Sequence, residues 1–182
     1  KYAAIEACDL VGVVDVDRDR ARALADRLSC EAFDSAMDLV GQVDCVSVAV
    51  PTTLHRSVAG ELLEAGIDCL VEKPLAASGV EADELVALAR ANGRILQVGH
   101  LERFNPALIR LAGMIRKPRF VECHRLAPFT PRGADVDVVR DLMIHDLDLI
   151  GLLQPAEIVQ IDSVGIRVLT PNVDLANVRI RF

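Results

Sequence analysis

Short apolar runs alternate with segments of helical periodicity throughout residues 1–99, and this alternation constrains the fold more than any other feature. Apolar runs bounded by turn residues are typical of strands that are buried on both faces. Strands that alternate with helices through short links form parallel sheets with helices on both faces. We therefore predict an α/β domain built around a parallel sheet. Its predicted strands are residues 10–14, 43–50, 67–71 and 95–98.

The helices between these strands are predicted from capping residues and apolar spacing. Asp17 can cap the first helix, in which apolar residues recur at helical spacing. Gly66 is suited to the end of the second helix, because glycine readily adopts the left-handed conformation found there. Ser78 and Glu81 have the spacing of a capping box at the start of the third.

After Gly99 the pattern changes, because helices are followed by clustered strands with no helix between them. This order is typical of an α+β domain with a largely antiparallel sheet. We therefore predict two domains, residues 1–99 and 100–182. Helices are expected over residues 107–115 and from Asp135 or Asp137 to about Leu153. Strands are expected over residues 119–126, 158–164, 166–169 and 173–182.

Both ends of the chain have the character of interrupted elements. The first residues read as part of a helix without an initial methionine, and the alternating residues 178–182 read as an unfinished strand. If the sheet is that of a dinucleotide-binding fold, a first strand and a glycine-rich turn must precede Lys1. The parallel sheet is then truncated at its start, and the second domain at its end.

Charge and cysteine content narrow the class of protein. The formal net charge of −7 argues against nucleic acid as a main partner. Apolar runs are all shorter than the ~20 residues that span a bilayer, and no signal segment opens the chain. The cysteines include no C-x-x-C pair and are interpreted as small core residues in a reducing compartment. We expect a cytoplasmic protein without nucleic-acid or membrane partners.

Ligands of parallel sheets bind beyond the carboxyl ends of the strands, so the residues there are candidates for a site. In a dinucleotide-binding fold, an acid that ends the second strand can accept hydrogen bonds from the adenosine ribose hydroxyls. Asp15 fits that position, and its alternative is an ordinary loop acid before a helix. Asp17 adds negative charge that disfavours a 2′-phosphate, although Arg18 offsets part of it. NAD is therefore favoured over NADP as the cofactor.

Lys73 is conspicuous at the end of the third strand, because most basic positions of the chain are arginine. Burial can lower the pKa of a lysine toward neutrality, which it cannot do for arginine. Pro74 favours an extended conformation at Lys73, so the lysine side chain is aimed. The alternative is a solvent-exposed pair with Glu72. The predicted cofactor-binding residues at the three strand ends are Asp15, Val50, Pro51, Thr52, His55, Glu72 and Lys73.

The long helix carries a narrow polar stripe on an otherwise apolar surface. The stripe consists of Asp137, Asp141, His145 and Asp148. At roughly 100° per residue, their spacing places them on one face. Only Arg140 and Asp146 interrupt the apolar remainder, so the helix is predicted to be largely buried with its stripe toward a cleft. The alternative is an amphipathic helix with a solvated face.

His145 is the strongest acid–base candidate on this stripe. Asp141 precedes it by one turn and can orient and charge-stabilise its imidazole. The same pair could ligate a metal, but a single histidine would need further ligands from elsewhere. Acid–base chemistry is therefore favoured over a metal site, and the predicted catalytic residues are Lys73, Asp141 and His145. His100 follows the fourth strand end and is placed similarly, whereas His124 is interpreted as structural.

Together these motifs resemble the glucose–fructose oxidoreductase, inositol dehydrogenase and MocA (Gfo/Idh/MocA) family over essentially the whole chain. The resemblance rests on Val13-Val14-Asp15, Pro51-Thr52 with His55, Glu72-Lys73-Pro74, Gly99-His100, Arg103-Phe104-Asn105-Pro106 and Asp141-x-x-x-His145. It implies an N-terminal Rossmann domain that binds NAD(P), and a C-terminal domain whose open sheet mediates homodimers or homotetramers. It also implies hydride transfer on sugars or cyclic polyols, with Arg103, Asn105 and His145 at the substrate.

A narrower similarity concerns residues 142–148 and the Arg-Phe-Asn-Pro turn, which resemble members that act on UDP-N-acetylglucosamine at the 3-hydroxyl. Met143 departs from the glycine of many members, which can alter the substrate floor without removing the acid–base pair. We hypothesise that His145 takes the hydroxyl proton while Lys73 stabilises the developing carbonyl oxygen, and either can be the formal base. The rival interpretations are a non-catalytic NAD(P)-binding sensor on the same fold and a metal-dependent hydrolase that uses His145.

Overall fold

The computed structural model describes residues 2–128 and 136–182 and divides into two compact units. The first unit consists of Lys1–Val50, Leu54–Val71 and Ser78–Gln97. The second consists of Pro51–Thr53, Glu72–Ala77 and Val98–Phe182. The segment that carries Lys73 therefore groups with the C-terminal half of the chain, although it directly follows a strand of the first unit. The domain boundary placed at residue 99 stays a prediction.

The first unit begins with a 3₁₀ turn at Tyr2–Ala4 and strand β1 (Gly12–Val14). Helix α1 (Arg18–Leu28) leads to β2 (Glu31–Phe33), which pairs with β1 in parallel. Asp17 caps α1 as predicted, because its carboxylate accepts the backbone N–H groups of the next turn at 3.1 Å. The apolar pattern did not indicate β2, because its only apolar residues are an Ala-Phe pair, too short a run to distinguish from a loop.

A three-stranded sheet has the order β3-β4-β5, formed by Cys45–Val48, Asp68–Val71 and Leu96–Val98. Strands β3 and β4 run parallel. A 3₁₀ helix at Ala36–Leu39 precedes β3, and helices α2 (Thr52–Glu64) and α3 (Gly79–Ala91) follow β3 and β4. The side chains of Leu62, Leu63, Val71 and Leu85 are completely buried. The predicted parallel pairing with intervening helices is confirmed.

The second unit contains helical segments followed by a hairpin. Its helical segments are a 3₁₀ turn at Leu101–Phe104, α4 (Pro106–Ala112), a π-helix at Val139–Met143 and α5 (Ile144–Leu153). The hairpin pairs β6 (Gln160–Ile166) with β7 (Leu175–Arg181) in antiparallel register. The predicted antiparallel sheet is confirmed in this hairpin. Its connection is organised by the Asp174 carboxylate, which accepts the backbone N–H groups of residues 168, 169 and 170.

Two of the predicted strands are wrong. Residues 119–126 have no regular structure. Phe120 and Leu126 are 80% and 90% exposed, and no strand within the described residues pairs with this segment. The predicted strand 166–169 is also absent, because residues 167–169 belong to the hairpin connection after β6. There the Asp174 carboxylate accepts two of their backbone N–H groups. An alternating pattern forms a strand only where a neighbouring strand supplies the ladder.

The long helix also differs from its prediction. It begins as a π-helix, and Asp137 accepts the N–H groups of Val139 and Arg140 at its start. Asp135, the alternative start, lies outside the described residues. None of residues 139–153 is fully buried, so the predicted burial of this helix is wrong. Like the other helices of the described ranges, it is not long and apolar enough to cross a membrane.

The cysteines are not all core residues, which corrects their interpretation. Cys69 is buried in β4, whereas Cys45 and Cys123 are exposed. Burial raises the pKa of the Cys69 thiol to about 11. Only Cys69 therefore behaves as a small apolar residue of the core.

Candidate functional site

Lys73 is held by Asp141 through two hydrogen bonds within the second unit. The Lys73 Nζ atom donates to the Asp141 Oδ1 carboxylate oxygen and to the Asp141 backbone oxygen, both at 2.8 Å. The lysine side chain is 20% exposed. Two acceptors on one residue fix the ammonium group more tightly than a single ion pair does, so the direction of Lys73 is set by the backbone of the helix.

The backbone carbonyl that accepts from Lys73 belongs to a π-helical turn. Ile144 donates its N–H to the Val139 carbonyl five residues earlier, the bond that defines a π-turn. A π-turn offsets the hydrogen-bond ladder by one residue and changes which carbonyls point along the helix. The Asp141 carbonyl lies in this turn and accepts from Lys73. Single π-turns within helices occur frequently at functional sites.

The structure gives Asp141 a different partner from the one predicted for it. Its carboxylate accepts from Lys73, and the ring atom His145 Nδ1 is buried without a hydrogen-bond partner among the described residues. The prediction assumed regular α-helical spacing between residues 141 and 145, whereas the π-turn includes residue 141. Asp141 therefore acts on Lys73, and no contact of the described residues shows it orienting His145.

His145 lies where its imidazole is kept neutral. Burial lowers the pKa of His145 from its ordinary value, and the positive charges of Lys73 and Arg125 lower it further. A neutral imidazole has a free lone pair and can accept a proton. The arrangement thus combines a fixed ammonium group with a proton acceptor in one unit, which suits acid–base chemistry at an oxygen atom.

Asp148 forms a second charged cluster one turn further along α5. Arg103 donates to both carboxylate oxygens of Asp148, from Nε to Oδ2 at 2.8 Å and from Nη2 to Oδ1. The Asp148 side chain is 8% exposed, and its Oδ2 lies 3.9 Å from His100 Nδ1. The hydrogen bonds from Arg103 lower the pKa of Asp148. His100 Nδ1, like His145 Nδ1, is buried without a partner within the described parts of the chain.

Both predicted substrate-binding residues of the turn have partners inside the unit. Arg103 is committed to Asp148. The Asn105 side chain caps α4 by accepting the Ala107 N–H at 3.0 Å, and its amide donates to Glu102. Their roles at the substrate stay predictions, and in this structure both residues stabilise the turn that follows β5.

A further ion pair joins the irregular segment before residue 128 to α5. Arg125 Nη2 donates to Asp146 Oδ1 at 2.8 Å, and this bond raises the pKa of Arg125. The sequence predicted no role for Arg125, because this residue lies within the predicted strand 119–126. Asp146 was visible only as one of two charged residues that interrupt the apolar surface of the helix, and the other was Arg140.

Asp15 follows β1, is partly exposed, and has its carboxylate paired with Arg20. Arg20 donates to both carboxylate oxygens at 2.7 Å, and the Asp17 N–H donates to Oδ1 at 2.9 Å. These bonds hold the pKa of Asp15 below its ordinary value, with Arg20 as the main cause. The carboxylate is ionised and can accept hydrogen bonds from a diol, provided that the diol displaces or shares Arg20.

The residues after β3 divide between buried and exposed positions. Pro51 is exposed, while Thr52 begins α2 and is 8% exposed. His55 is completely buried, with Nε2 2.9 Å from the Val50 carbonyl oxygen. This contact ties the link to the first turn of α2, so His55 shapes the backbone at this strand end.

Glu72 follows β4 and is packed against the glycine that follows β5. A Cβ atom on Gly99 would lie 3.1 Å from Glu72 Oε2 and 3.4 Å from Glu72 Cα. A side chain at position 99 would therefore crowd the Glu72 carboxylate, which would have to move by a few tenths of an ångström. Among the described residues, no group of three or more His, Cys, Asp or Glu side chains is arranged to hold a metal ion.

Comparison with known sequences shows that the chain is similar to a family of oxidoreductases. Residues 2–100 match the family described as "Oxidoreductase family, NAD-binding Rossmann fold" (GFO_IDH_MocA). The chain is 45% identical over 178 residues to UDP-N-acetylglucosamine 3-dehydrogenase of Acidithiobacillus ferrooxidans, covering 97% of this chain and 56% of that protein. It is 35% identical over 167 residues to inositol 2-dehydrogenase 1 of Saccharopolyspora erythraea, covering 84% and 48%. The chain thus spans about half the length of the curated relatives it matches.

Solved structures agree with the sequence matches. UDP-N-acetylglucosamine 3-dehydrogenase GnnA from Acidithiobacillus ferrooxidans superimposes with a TM-score of 0.91 at 43% identity, covering 98% of this chain and 59% of that one. GenD2 from gentamicin A biosynthesis, solved in complex with NAD, has a TM-score of 0.84 at 25% identity, covering 100% and 57%.

Proposed function

The chain belongs to the Gfo/Idh/MocA family of oxidoreductases with an NAD-binding Rossmann fold, and we propose that the protein oxidises a sugar or polyol hydroxyl with NAD as hydride acceptor. The observation that carries this proposal is the pairing of Lys73 with Asp141 in the same unit as a neutral His145. Alcohol oxidation requires removal of the hydroxyl proton and stabilisation of negative charge on the oxygen. These residues can supply both.

The substrate class we favour is a nucleotide sugar, oxidised at a ring hydroxyl. The support is the 45% identity to a UDP-N-acetylglucosamine 3-dehydrogenase over 97% of this chain, against 35% identity to an inositol 2-dehydrogenase over 84%. UDP-N-acetylglucosamine at its 3-hydroxyl is therefore the first substrate to test, and inositols are the second.

The residues at the strand ends fit a dinucleotide. Asp15 offers an ionised acceptor for the ribose hydroxyls, as the depressed pKa of its carboxyl shows. Asp15, Val50, Pro51, Thr52, His55, Glu72 and Lys73 are proposed to contribute to cofactor binding, with His55 acting through the Val50 carbonyl. Bound NAD would supply the hydride acceptor.

The side chains of this chain carry the proton chemistry. His145 is neutral near neutral pH and accepts the hydroxyl proton. The Lys73 ammonium donates a hydrogen bond to the same oxygen and stabilises the charge that develops there. Asp141 keeps Lys73 directed through its carboxylate and carbonyl. General acid–base assistance of this kind accelerates a reaction by roughly 10²- to 10⁴-fold.

Assembly and location complete the proposal. The proposed protein is a homodimer or homotetramer in the cytoplasm, with NAD and a small-molecule sugar as its ligands. The cysteines, which are all free among the described residues, support only the reducing compartment. Disulfides are rare in reducing compartments.

A substrate screen with the full-length protein tests the proposed function. Purified protein is incubated with NAD and UDP-N-acetylglucosamine, free N-acetylglucosamine, myo-inositol or simple polyols, and NADH absorbance is followed. We expect turnover with the nucleotide sugar that exceeds turnover with the free sugar. Binding of NAD without turnover of any compound would support the non-catalytic sensor instead. NADP in place of NAD serves as the matched cofactor control.

A further inference from the structure

The segment Glu72–Ala77, here called the lysine segment, is joined to the start of the long helix at two points. The first is the contact between Lys73 and Asp141. The second lies at the other end of the segment, where Arg140 Nη1 donates to the Ala77 carbonyl oxygen at 2.6 Å. Both contacts fall within the second unit. The two attachments, at Lys73 and Ala77, are made by the neighbouring helix residues Asp141 and Arg140.

The Arg140 guanidinium is itself held in place. Its Nε donates to Asp137 Oδ2 at 3.0 Å, and its Nη2 lies 2.8 Å from the same oxygen. The Arg140 backbone N–H donates to Asp137 Oδ1 at 3.0 Å. Asp137 thus orients the planar fork, and the remaining branch of the fork is directed at Ala77. A guanidinium can serve a carboxylate and a carbonyl at once because its N–H groups diverge in one plane.

The lysine segment depends on such ties because it has no strand or helix hydrogen bonds of its own. Residues 72–77 are irregular, and Ala76 is among the few of them that are buried. The Lys73 side chain is long and flexible, so the position of Nζ follows the position of this backbone. A displacement of about 1 Å in a positioned group can cost roughly 100-fold in rate.

We propose that Arg140 is a positioning residue of the active site, which bridges Asp137 and the Ala77 carbonyl and thereby sets where Lys73 Nζ lies. Arg140 does not touch the reacting atoms in this proposal. It acts through the backbone of the lysine segment. The proposal rests on the proposed dehydrogenase function for its effect on turnover, but its effect on Lys73 can be measured independently.

Competitive amine labelling of the full-length protein measures the state of Lys73 directly. Acetic anhydride is added in trace amounts, and mass spectrometry compares acetylation of Lys73 with that of the exposed Lys117, the internal reference. The variants are Arg140→Met and Arg140→Lys. Arg90→Met, at an exposed arginine of α3, is the matched control, and Asp141→Asn is the positive control. Thermal melting confirms that each variant folds.

In Arg140→Met we expect the Lys73 to Lys117 labelling ratio to rise roughly 3- to 10-fold, because a less firmly paired amine reacts faster. We expect kcat to fall by roughly 10- to 100-fold with the KM for NAD within a few-fold of wild type. Arg140→Lys keeps the charge without the fork and should fall between Arg140→Met and wild type. Arg90→Met should match wild type in both measurements.

The outcomes separate this inference from the proposed function. An unchanged labelling ratio in Arg140→Met overturns the positioning role, even if the wild-type protein is an active dehydrogenase. An unchanged ratio in Asp141→Asn overturns it too, because Lys73 is then not held as the structure shows. A raised ratio in Arg140→Met, together with a wild-type protein that turns over no substrate, supports the positioning of Lys73 by Arg140 and rejects the dehydrogenase.

Discussion

Lys73 Nζ lies 2.8 Å from both the carboxylate and the backbone carbonyl of Asp141, a residue 68 positions later in the chain. The carboxylate stabilises the ammonium charge, and the carbonyl fixes its direction. A lysine held in this way is suited to donate a hydrogen bond to a substrate oxygen. The structure pairs Asp141 with Lys73, and in the proposed mechanism His145 is the proton acceptor.

Removal of either reacting side chain should abolish most turnover. Lys73→Ala and His145→Ala are each expected to lower kcat by roughly 10²- to 10⁴-fold, because each removes acid–base or charge stabilisation at the substrate oxygen. The Kd for NAD, measured by titration calorimetry, should stay within a few-fold of wild type. Lys117→Ala and His124→Ala are matched controls at exposed positions. Near-normal turnover in either site variant would contradict the assignment.

The pKa of His145 should depend on the charge of Lys73. Burial and the Lys73 charge lower the pKa of His145 from 6.5, so the imidazole stays neutral, and active as a base, to a lower pH than an exposed histidine. Activity should be lost as pH falls through this lowered pKa. In Lys73→Met the positive charge is gone, so the pKa of His145 should rise. Proton NMR titration of the imidazole resonances, assigned with His145→Gln, measures both values.

A His145 pKa that does not move in Lys73→Met would show that the two groups are not electrostatically coupled. If the acid limb of the kcat/KM profile fails to follow the NMR pKa of His145 in the free enzyme, Lys73 becomes the better candidate for the formal base.

The Arg103–Asp148 pair should stabilise the fold in a pH-dependent manner. The folded pKa of Asp148 is lowered, so its contribution is present above the unfolded value of about 3.9 and is lost as pH falls through the folded value. Asp148→Asn should lower the free energy of unfolding near neutral pH by about 1–2 kcal/mol, an estimate reduced for the exposure of Arg103. Urea unfolding at several pH values measures the difference.

The difference between Asp148→Asn and wild type should start to shrink as pH falls through about 3.9, where the carboxyl is protonated in the unfolded chain, and should disappear below the lowered folded pKa, where the folded carboxyl is protonated too. Asp26→Asn, at an exposed position of α1, should be close to neutral at every pH. A stability loss in Asp148→Asn that persists unchanged in acid would attribute the effect to packing instead of charge.

Arg20 should compete with the cofactor for Asp15. Both Asp15 oxygens accept hydrogen bonds from Arg20, and a ribose diol needs the same oxygens. Arg20→Met is expected to tighten NAD binding by roughly 2- to 10-fold, the value of one hydrogen bond that no longer has to be broken. Asp15→Ala should weaken binding by a similar factor. Calorimetric titration checks both, and weaker NAD binding in Arg20→Met would make Arg20 a cofactor contact itself.

Local signals predicted the elements that depend on neighbouring residues. Asp17 caps α1 and Ser78 caps α3, as the cap patterns indicated. Residues 119–126 do not form the predicted strand, because no strand of the described residues pairs with them. The three-residue β2 was missed for the opposite reason, since it is defined by its pairing with β1 and hardly by its own composition.

The sequence by itself determined the parallel strands, their capped helices and the residue types at the strand ends, because caps, apolar period and turn residues act over a few positions. It also placed Lys73, Asp141 and His145 among the chemically competent residues. Only the tertiary structure decided their partners. Lys73 donates to the Asp141 carbonyl in a π-turn, Arg103 donates to the Asp148 carboxylate, and Arg140 donates to the Ala77 carbonyl. These contacts span 45 to 68 residues, and no local period encodes a distance of that kind.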